Sequence, residues 1–255
     1  MKFIPKNPSS FRNVLNVMKG VHSEIYAMPK ENSIVFWTID PPSTMIYSAI
    51  LPKSSMLVYE VERDELETIT AYDIRYIEKA LRKVKADTQF TFNQTGEGYT
   101  EIIVEKPFKT RVRIPQFSTD AESIDLPEIP MSVWLEGYGA LLNDLIDTIK
   151  AFTTELEFIA DAEKLKVVGE TETSDVVAEI TPEHDWVQSY EVDEDAELPV
   201  RATYDVKRLA TITKGIGKST MVTLAFGTDV PLYVRWEDSE GFKHNFLLAP
   251  RVREE

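Results

Sequence analysis

The chain has 255 residues, 43% of them hydrophobic with 12 Phe and 10 Tyr, which is enough for one large core or two ordinary ones and excludes a disordered polymer. The absence of cysteine excludes disulfides and thiolate chemistry and fits a reducing compartment. A formal net charge of −15 excludes nucleic-acid binding by overall attraction, leaving only binding through a local concentration of cations.

The opening residues, Met1-Lys2-Phe3-Ile4-Pro5-Lys6-Asn7-Pro8, lack the apolar core of a secretory signal. No apolar run approaches membrane-spanning length, so a soluble cytoplasmic protein without a membrane partner is expected. Asn7 to Ser10 supplies the cap of a first helix that ends near Gly20, with Phe11, Val14, Leu15 and Met18 inward and Arg12 and Lys19 outward. Glu24 to Leu51 reads as strands, with Ile34–Trp37 and Met45–Tyr47 flanking a turn at Asp40-Pro41-Pro42-Ser43. Val58 to Ile69 alternates again. A second helix follows from Tyr72, its apolar stripe at Ile74, Ile77, Leu81 and Val84, and then a strand through Phe90 and Phe92. Glu101–Glu105 and Phe108–Ile114 form a hairpin.

Pro115 to Pro130 carries three prolines, four acids and no sustained period, which marks an extended linker. Beyond it come a helix at about 139 to 152, strands, an acidic loop at 191–197, a strand, a helix at 204 to 215 and closing strands. The last of these form a hairpin of Leu232–Trp236 and Asn245–Leu248.

The two halves repeat each other. Tyr72-Asp73-Ile74-Arg75 aligns without a gap on Tyr204-Asp205-Val206-Lys207, 132 residues later (72 to 204), and the match runs through Arg82 and Lys214 to the following strands. Val206, Leu209, Thr213 and Ile216 stand where the first copy has its apolar stripe. Phe11, Val14, Leu15, Met18 and Lys19 find Leu142, Leu145, Ile146, Ile149 and Lys150 at a distance of 131. The chain is therefore an α+β tandem duplication: domain 1 at 1–114, a linker at 115–130 and domain 2 at 131–255. Each domain has antiparallel strands and two helices. Between Arg75 and Lys85 five cations face one anion, Glu78, so the helices carry basic outer faces although the chain as a whole is acidic.

Catalytic patterns are missing. His22, His184 and His244 are scattered without metal-ligand spacing and read as single surface histidines. Gly217-Lys218-Ser219-Thr220 resembles the end of a phosphate-binding loop, but position 212 is Ile where that motif needs Gly, and the segment follows a helix. It reads as a turn with an exposed lysine. The acids of 191–197 form a loop with nothing to fix a metal geometry. No cofactor and no enzymatic activity are expected.

Three short blocks complete the pattern. Ile39-Asp40-Pro41-Pro42-Ser43, Asp229-Val230-Pro231-Leu232 and Leu247-Leu248-Ala249-Pro250-Arg251 lie in order across the chain. With the duplication and the linker, they resemble the proliferating cell nuclear antigen family of archaeal and eukaryotic sliding clamps. The resemblance implies the DNA clamp fold, each chain being one subunit of a trimeric ring that encircles duplex DNA and confers processivity on DNA polymerase. It carries a DNA-contact role onto Arg12, Lys19, Lys79, Arg82 and Lys214. The internal repeat adds Arg75 and Lys207, and Lys150 stands alone on its helix. Contacts of this kind hold phosphates without reading bases.

The resemblance also implies an apolar pocket for peptides of polymerase, clamp loader, flap endonuclease, ligase and similar repair proteins. Carried over, it uses Asp40, Thr44, Ile46, Ile124, Leu126, Pro127, Val230, Pro231, Leu247, Leu248, Ala249 and Pro250. Subunits of the family meet by edge-strand pairing, which here sets Lys109, Arg111 and Arg113 against acids near Glu179. Asp144 and Asp147 depart from the family's basic helix, and leave a homotrimer and a heterotrimer with paralogous subunits both open. They also motivate an alternative: a clamp-like scaffold that binds partner proteins with little direct DNA contact.

Overall fold

The computed structural model describes residues 1–85, 88–105, 107–124, 129–171 and 175–251. The chain packs as two compact units. One comprises Met1–Pro41, Tyr47–Asp125 and Asp238–His244, the other Pro42–Ile46, Leu126–Glu237 and Asn245–Glu255.

The first unit begins with β1 (Lys2–Pro5), α1 (Pro8–Val21), β2 (Glu24–Lys30), β3 (Ser33–Ile39), β4 (Met45–Pro52) and β5 (Met56–Glu60). It continues with β6 (Thr70–Asp73), α2 (Ile74–Leu81), β7 (Phe90–Gln94), β8 (Tyr99–Val104) and β9 (Thr110–Pro115). One antiparallel sheet runs β5-β1-β7-β8-β9, and a second set of strands runs β4-β3-β2-β6. Asn7 starts α1: its Oδ1 accepts from the amides of Ser9 (2.9 Å) and Ser10 (3.4 Å), with Pro8 in the first turn where no amide is needed. Asp73 starts α2 in the same way, accepting from the Arg75 amide at 2.9 Å.

The inward stripes of α1 and α2 close over a cluster of rings. Phe3 stacks on Phe92 at 4.9 Å between centroids, and Phe11 meets Phe36 edge-on at 5.6 Å and Phe90 at 5.5 Å. All five are buried. Each such pair adds about 0.5–1.5 kcal/mol to its area burial. A smaller apolar cluster of Met28, Val35 and Trp37 is covered by Tyr26, Ile39, Ile50, Ile69 and Ile124.

The second unit begins with β10 (Val133–Tyr138), α3 (Gly139–Ile149), β11 (Glu155–Ala160), β12 (Leu165–Glu170), β13 (Asp175–Ile180) and β14 (Val187–Val192). It continues with β15 (Val200–Asp205), α4 (Val206–Thr213), β16 (Met221–Phe226) and β17 (Leu232–Glu237), and β18 (Lys243–Leu248) closes the order. Its strands run β14-β10-β16-β17 and β13-β12-β11-β15. The ladders repeat those of the first unit: Phe3 pairs with Phe92 between β1 and β7, and Leu135 with Leu224 between β10 and β16. Leucines thus replace the Phe3–Phe92 pair, while Phe158 meets Tyr204 and Phe226 edge-on at 5.5 and 5.3 Å. A small apolar cavity of 20 Å³ remains among Leu135, Leu142, Leu145, Phe158, Val222 and Leu224. No side chain caps α3. Instead the amides of Gly139 and Ala140 donate to the carbonyls of Thr220 (2.7 Å) and Lys218 (2.9 Å). That approach requires a glycine, because a Cβ on residue 139 would lie 2.3 Å from the Gly217 carbonyl oxygen.

Several expectations need correction. The segment 61–69 is a turn and not a strand, since Glu62, Arg63, Asp64 and Glu65 leave it no apolar face; Glu65 instead pairs with the Met1 amine. The repeated Tyr-Asp pairs end strands, so α2 begins at Ile74 and α4 at Val206. The helix from 139 stops at Ile149. In α4 Ile212, and not Thr213, continues the buried stripe. His244 is buried at 2% exposure and shares a 2.6 Å hydrogen bond with the Tyr47 hydroxyl, so it is not a surface histidine.

Candidate functional site

In each unit the two helices form the walls of a basic groove. The first, of 480 Å³, brings together Arg12, Lys19, Arg75, Lys79 and Arg82 with Glu78. These cations differ in how freely they can meet a phosphate. Arg12 donates to the Val84 carbonyl at 2.7 Å, which ties α1 to the chain beyond α2. Lys19 pairs with Glu78 at 2.9 Å. The Arg75 guanidinium clasps the Asp73 carboxylate through Nε at 2.9 and 3.0 Å, and that hydrogen bond holds Asp73 below the usual aspartate range and Arg75 above its own. Lys79 lies 5.8 Å from the centre of the Tyr76 ring. Among the described residues Lys79 and Arg82 make no ion pair.

The groove of the second unit, of 430 Å³, gathers Lys150, Lys207, Lys214 and Lys218 beside Asn143, Asp144 and Asp147. Lys150 is paired with Asp147 on its own helix. Asn143 donates to the Ile216 carbonyl at 3.1 Å and holds the turn that carries Lys218. All eight cations singled out in the sequence therefore fall into one groove or the other. Lys218 is a ninth; its signal was the Gly217–Thr220 turn, whose carbonyls start α3 and so place the lysine at the groove.

The apolar candidates divide between the units. In the second, the Ala249 amide donates to the Thr44 carbonyl at 2.8 Å, and the Tyr204 hydroxyl to the Val230 carbonyl at 2.8 Å. Thr44, Ile46, Val230, Pro231, Ala249 and Pro250 are half-buried, whereas Leu248 is sunk in the core. Leu247 forms part of a 370 Å³ groove with Ile129, Met131, Trp134, Tyr233 and Arg235. Sequence reasoning passed over Trp134, Tyr233 and Arg235, although the alternation along β10 and β17 sends all three to one face. In the first unit Asp40 is buried and Ile124 packs on the Trp37 cluster, fastening the linker there. Leu126 and Pro127 lie outside the described residues.

Both strands expected at subunit contacts are sheet edges: β9 ends one sheet and β13 another. Their charges are already matched locally. Arg113 and Arg111 reach Glu101 on β8 at 3.1 and 3.7 Å, Lys109 pairs with Glu105 at 3.3 Å, and Glu179 with Lys164 at 2.9 Å. Among the described residues no group of His, Cys, Asp or Glu is arranged to hold a metal, and no helix is long and apolar enough to cross a membrane.

A family model described as the C-terminal domain of proliferating cell nuclear antigen matches residues 157–251. A DNA polymerase sliding clamp from Thermococcus gammatolerans is 31% identical over 224 residues, 88% of this chain and 87% of that one. The chain belongs to the DNA polymerase sliding clamp family. The clamp of Pyrococcus furiosus is 28% identical over 96% of this chain and 95% of its own. The same fold is seen in the crystal structure of PCNA from Thermococcus kodakaraensis, with a TM-score of 0.87, 21% identity and coverage of 98% and 99% of the two chains. It recurs in A. fulgidus PCNA bound to the C-terminal region of FEN-1 (0.87; 16% identity; 100% and 99%). A PCNA2–PCNA3 complex from Sulfolobus tokodaii shares it as well (0.85; 17% identity; 98% and 99%). The chain is thus an archaeal-type clamp with the DNA clamp fold. The sliding clamp family is a non-catalytic processivity factor.

Proposed function

We propose that this chain encircles duplex DNA as one subunit of a ring, confers processivity on DNA polymerase and docks replication and repair proteins, with no catalytic step of its own. One observation carries the reading: each unit repeats a groove between its two helices, and all eight cations singled out for DNA contact line one of the two. Such contacts neutralise phosphates and read no bases, so the protein slides. The domains are 1–114 and 131–255 with a linker between them, and the protein works in the cytoplasm on the nucleoid.

Peptides dock on the second unit around Thr44, Val230, Leu247 and Ala249. Subunits join by pairing β9 of one chain with β13 of the next, in a homotrimer or with paralogous chains. Polymerase extension on a primed circle, where a ring is retained, against a linear template with free ends tests the whole reading. Stimulation confined to the circle is expected, and equal stimulation on both overturns tethering. Asp144 and Asp147 favour a second reading, a scaffold with little DNA contact, which requires peptide binding with no retention on the circle at any salt concentration.

A further inference from the structure

The segment that supplies Ala249 and Pro250 to the docking surface ends in an anchor. Arg251 is bound three times to the chain around β15: its amide donates to the Thr203 carbonyl at 2.7 Å, its Nη2 to Asp205 Oδ2 at 2.6 Å, and its Nε lies 3.7 Å from Glu155 Oε1. Asp205 uses its other oxygen to start α4, accepting from the Arg208 amide at 3.0 Å. One carboxylate therefore serves two masters, the first turn of a DNA-groove helix and the last turn of the docking segment. Burial alone would raise Asp205, but the Arg208 amide and the Arg251 guanidinium outweigh it and keep the carboxyl below the usual aspartate range.

We infer that Arg251 is a positioning residue for peptide docking, acting through Asp205 to hold Ala249 and Pro250 against Thr44. The inference rests on the docking role proposed above. Two tethers two residues apart, at Ala249 and Arg251, fix the backbone between them. Without the guanidinium the segment keeps its two backbone bonds, Ala249 to Thr44 and Arg251 to Thr203, but loses the clamp on Asp205 and Glu155 that steadies them, and a peptide must then supply that ordering at the moment of binding. A bidentate-capable guanidinium suits this anchor better than an ammonium, because it reaches Asp205 and Glu155 with different nitrogens.

The test uses the full chain and a synthetic peptide of the C-terminal region of FEN-1 as probe. Arg251→Ala is expected to weaken peptide affinity about 3- to 10-fold, the range of a lost charge-assisted hydrogen bond at a partly exposed site. Arg251→Lys should restore part of that loss. Asp205→Asn in the Arg251→Ala background should add much less than it does alone, since the two residues act as one unit. Amide hydrogen exchange gives a reading independent of the peptide: Arg251→Ala should speed exchange at Ala249 while leaving the β15 core amides of Ala202 and Tyr204 unchanged. Additive losses, no rescue by lysine, or an Ala249 amide that keeps its protection would each overturn the inference. Wild-type protein that ignores the peptide would overturn the docking role, and the Ala249 amide would then decide the positioning role by itself.

Discussion

Arg75 and Arg82 stand on the same helix and in the same groove, yet they are expected to contribute unequally to DNA retention. Arg75 is already clasped by Asp73, while Arg82 makes no ion pair among the described residues. A phosphate that meets Arg82 displaces a solution counterion; one that meets Arg75 must compete with a carboxylate at 2.9 Å. Each phosphate contact that releases a counterion steepens the dependence of log affinity on log salt by about 0.9. Arg82→Ala should flatten that slope by about 0.9 per protomer, which is about 3.5-fold in affinity over a fourfold rise in salt. Arg75→Ala should flatten it far less. The assay is retention on nicked circular duplex across a potassium chloride series, with each variant's thermal midpoint measured alongside. Equal flattening by the two variants, or none by Arg82→Ala, would refute the reasoning.

The same assay should show the opposite change for Asp147→Asn, which frees Lys150 in the second groove: tighter retention and a steeper slope, with Asp144→Asn in the same direction. Val222→Ile puts one methylene toward the 20 Å³ cavity and should raise stability by up to about 0.5 kcal/mol, read as a higher midpoint in thermal unfolding; a lower midpoint would mean that the site is already full. Acid should weaken both helix starts. Asp73, held low by the Arg75 side chain, and Asp205, held low by the Arg208 amide and Arg251 against the opposing effect of burial, contribute stability that is complete above the ordinary aspartate pKa of about 3.9. That contribution is lost as pH falls through their lower folded values. In Asp205→Asn the corresponding part of the acid transition, followed by circular dichroism, should vanish.

The sequence showed the duplication because both copies keep the same helical stripes and the same helix-starting Asp at 73 and 205. It showed the cations because they sit opposite those stripes. Their partners were hidden. Glu78 and Asp147 read as departures from a basic face, and only coordinates reveal that they neutralise Lys19 and Lys150. The slip at Thr213 arose because a repeat copied from the first helix keeps a four-residue step where the second helix buries Ile212 after three. His244 looked like a surface residue because its partner, Tyr47, lies 197 residues away. Arg251 appeared only as the end of a short block; its hold on Asp205 is long-range and leaves no local pattern.

The edge strands carry a further consequence. Arg111 and Arg113 spend their charge on Glu101 within their own sheet, and Glu179 on Lys164 within its sheet. Glu101 answers only one of the two arginines, so the edge keeps a reduced positive field, and the proposed pairing draws as well on its row of open amides and carbonyls and on apolar groups such as the exposed Val177. In the ring proposed above, concentrated salt is then expected to loosen the hold on the duplex, which rests on cations alone, before it parts one subunit from the next.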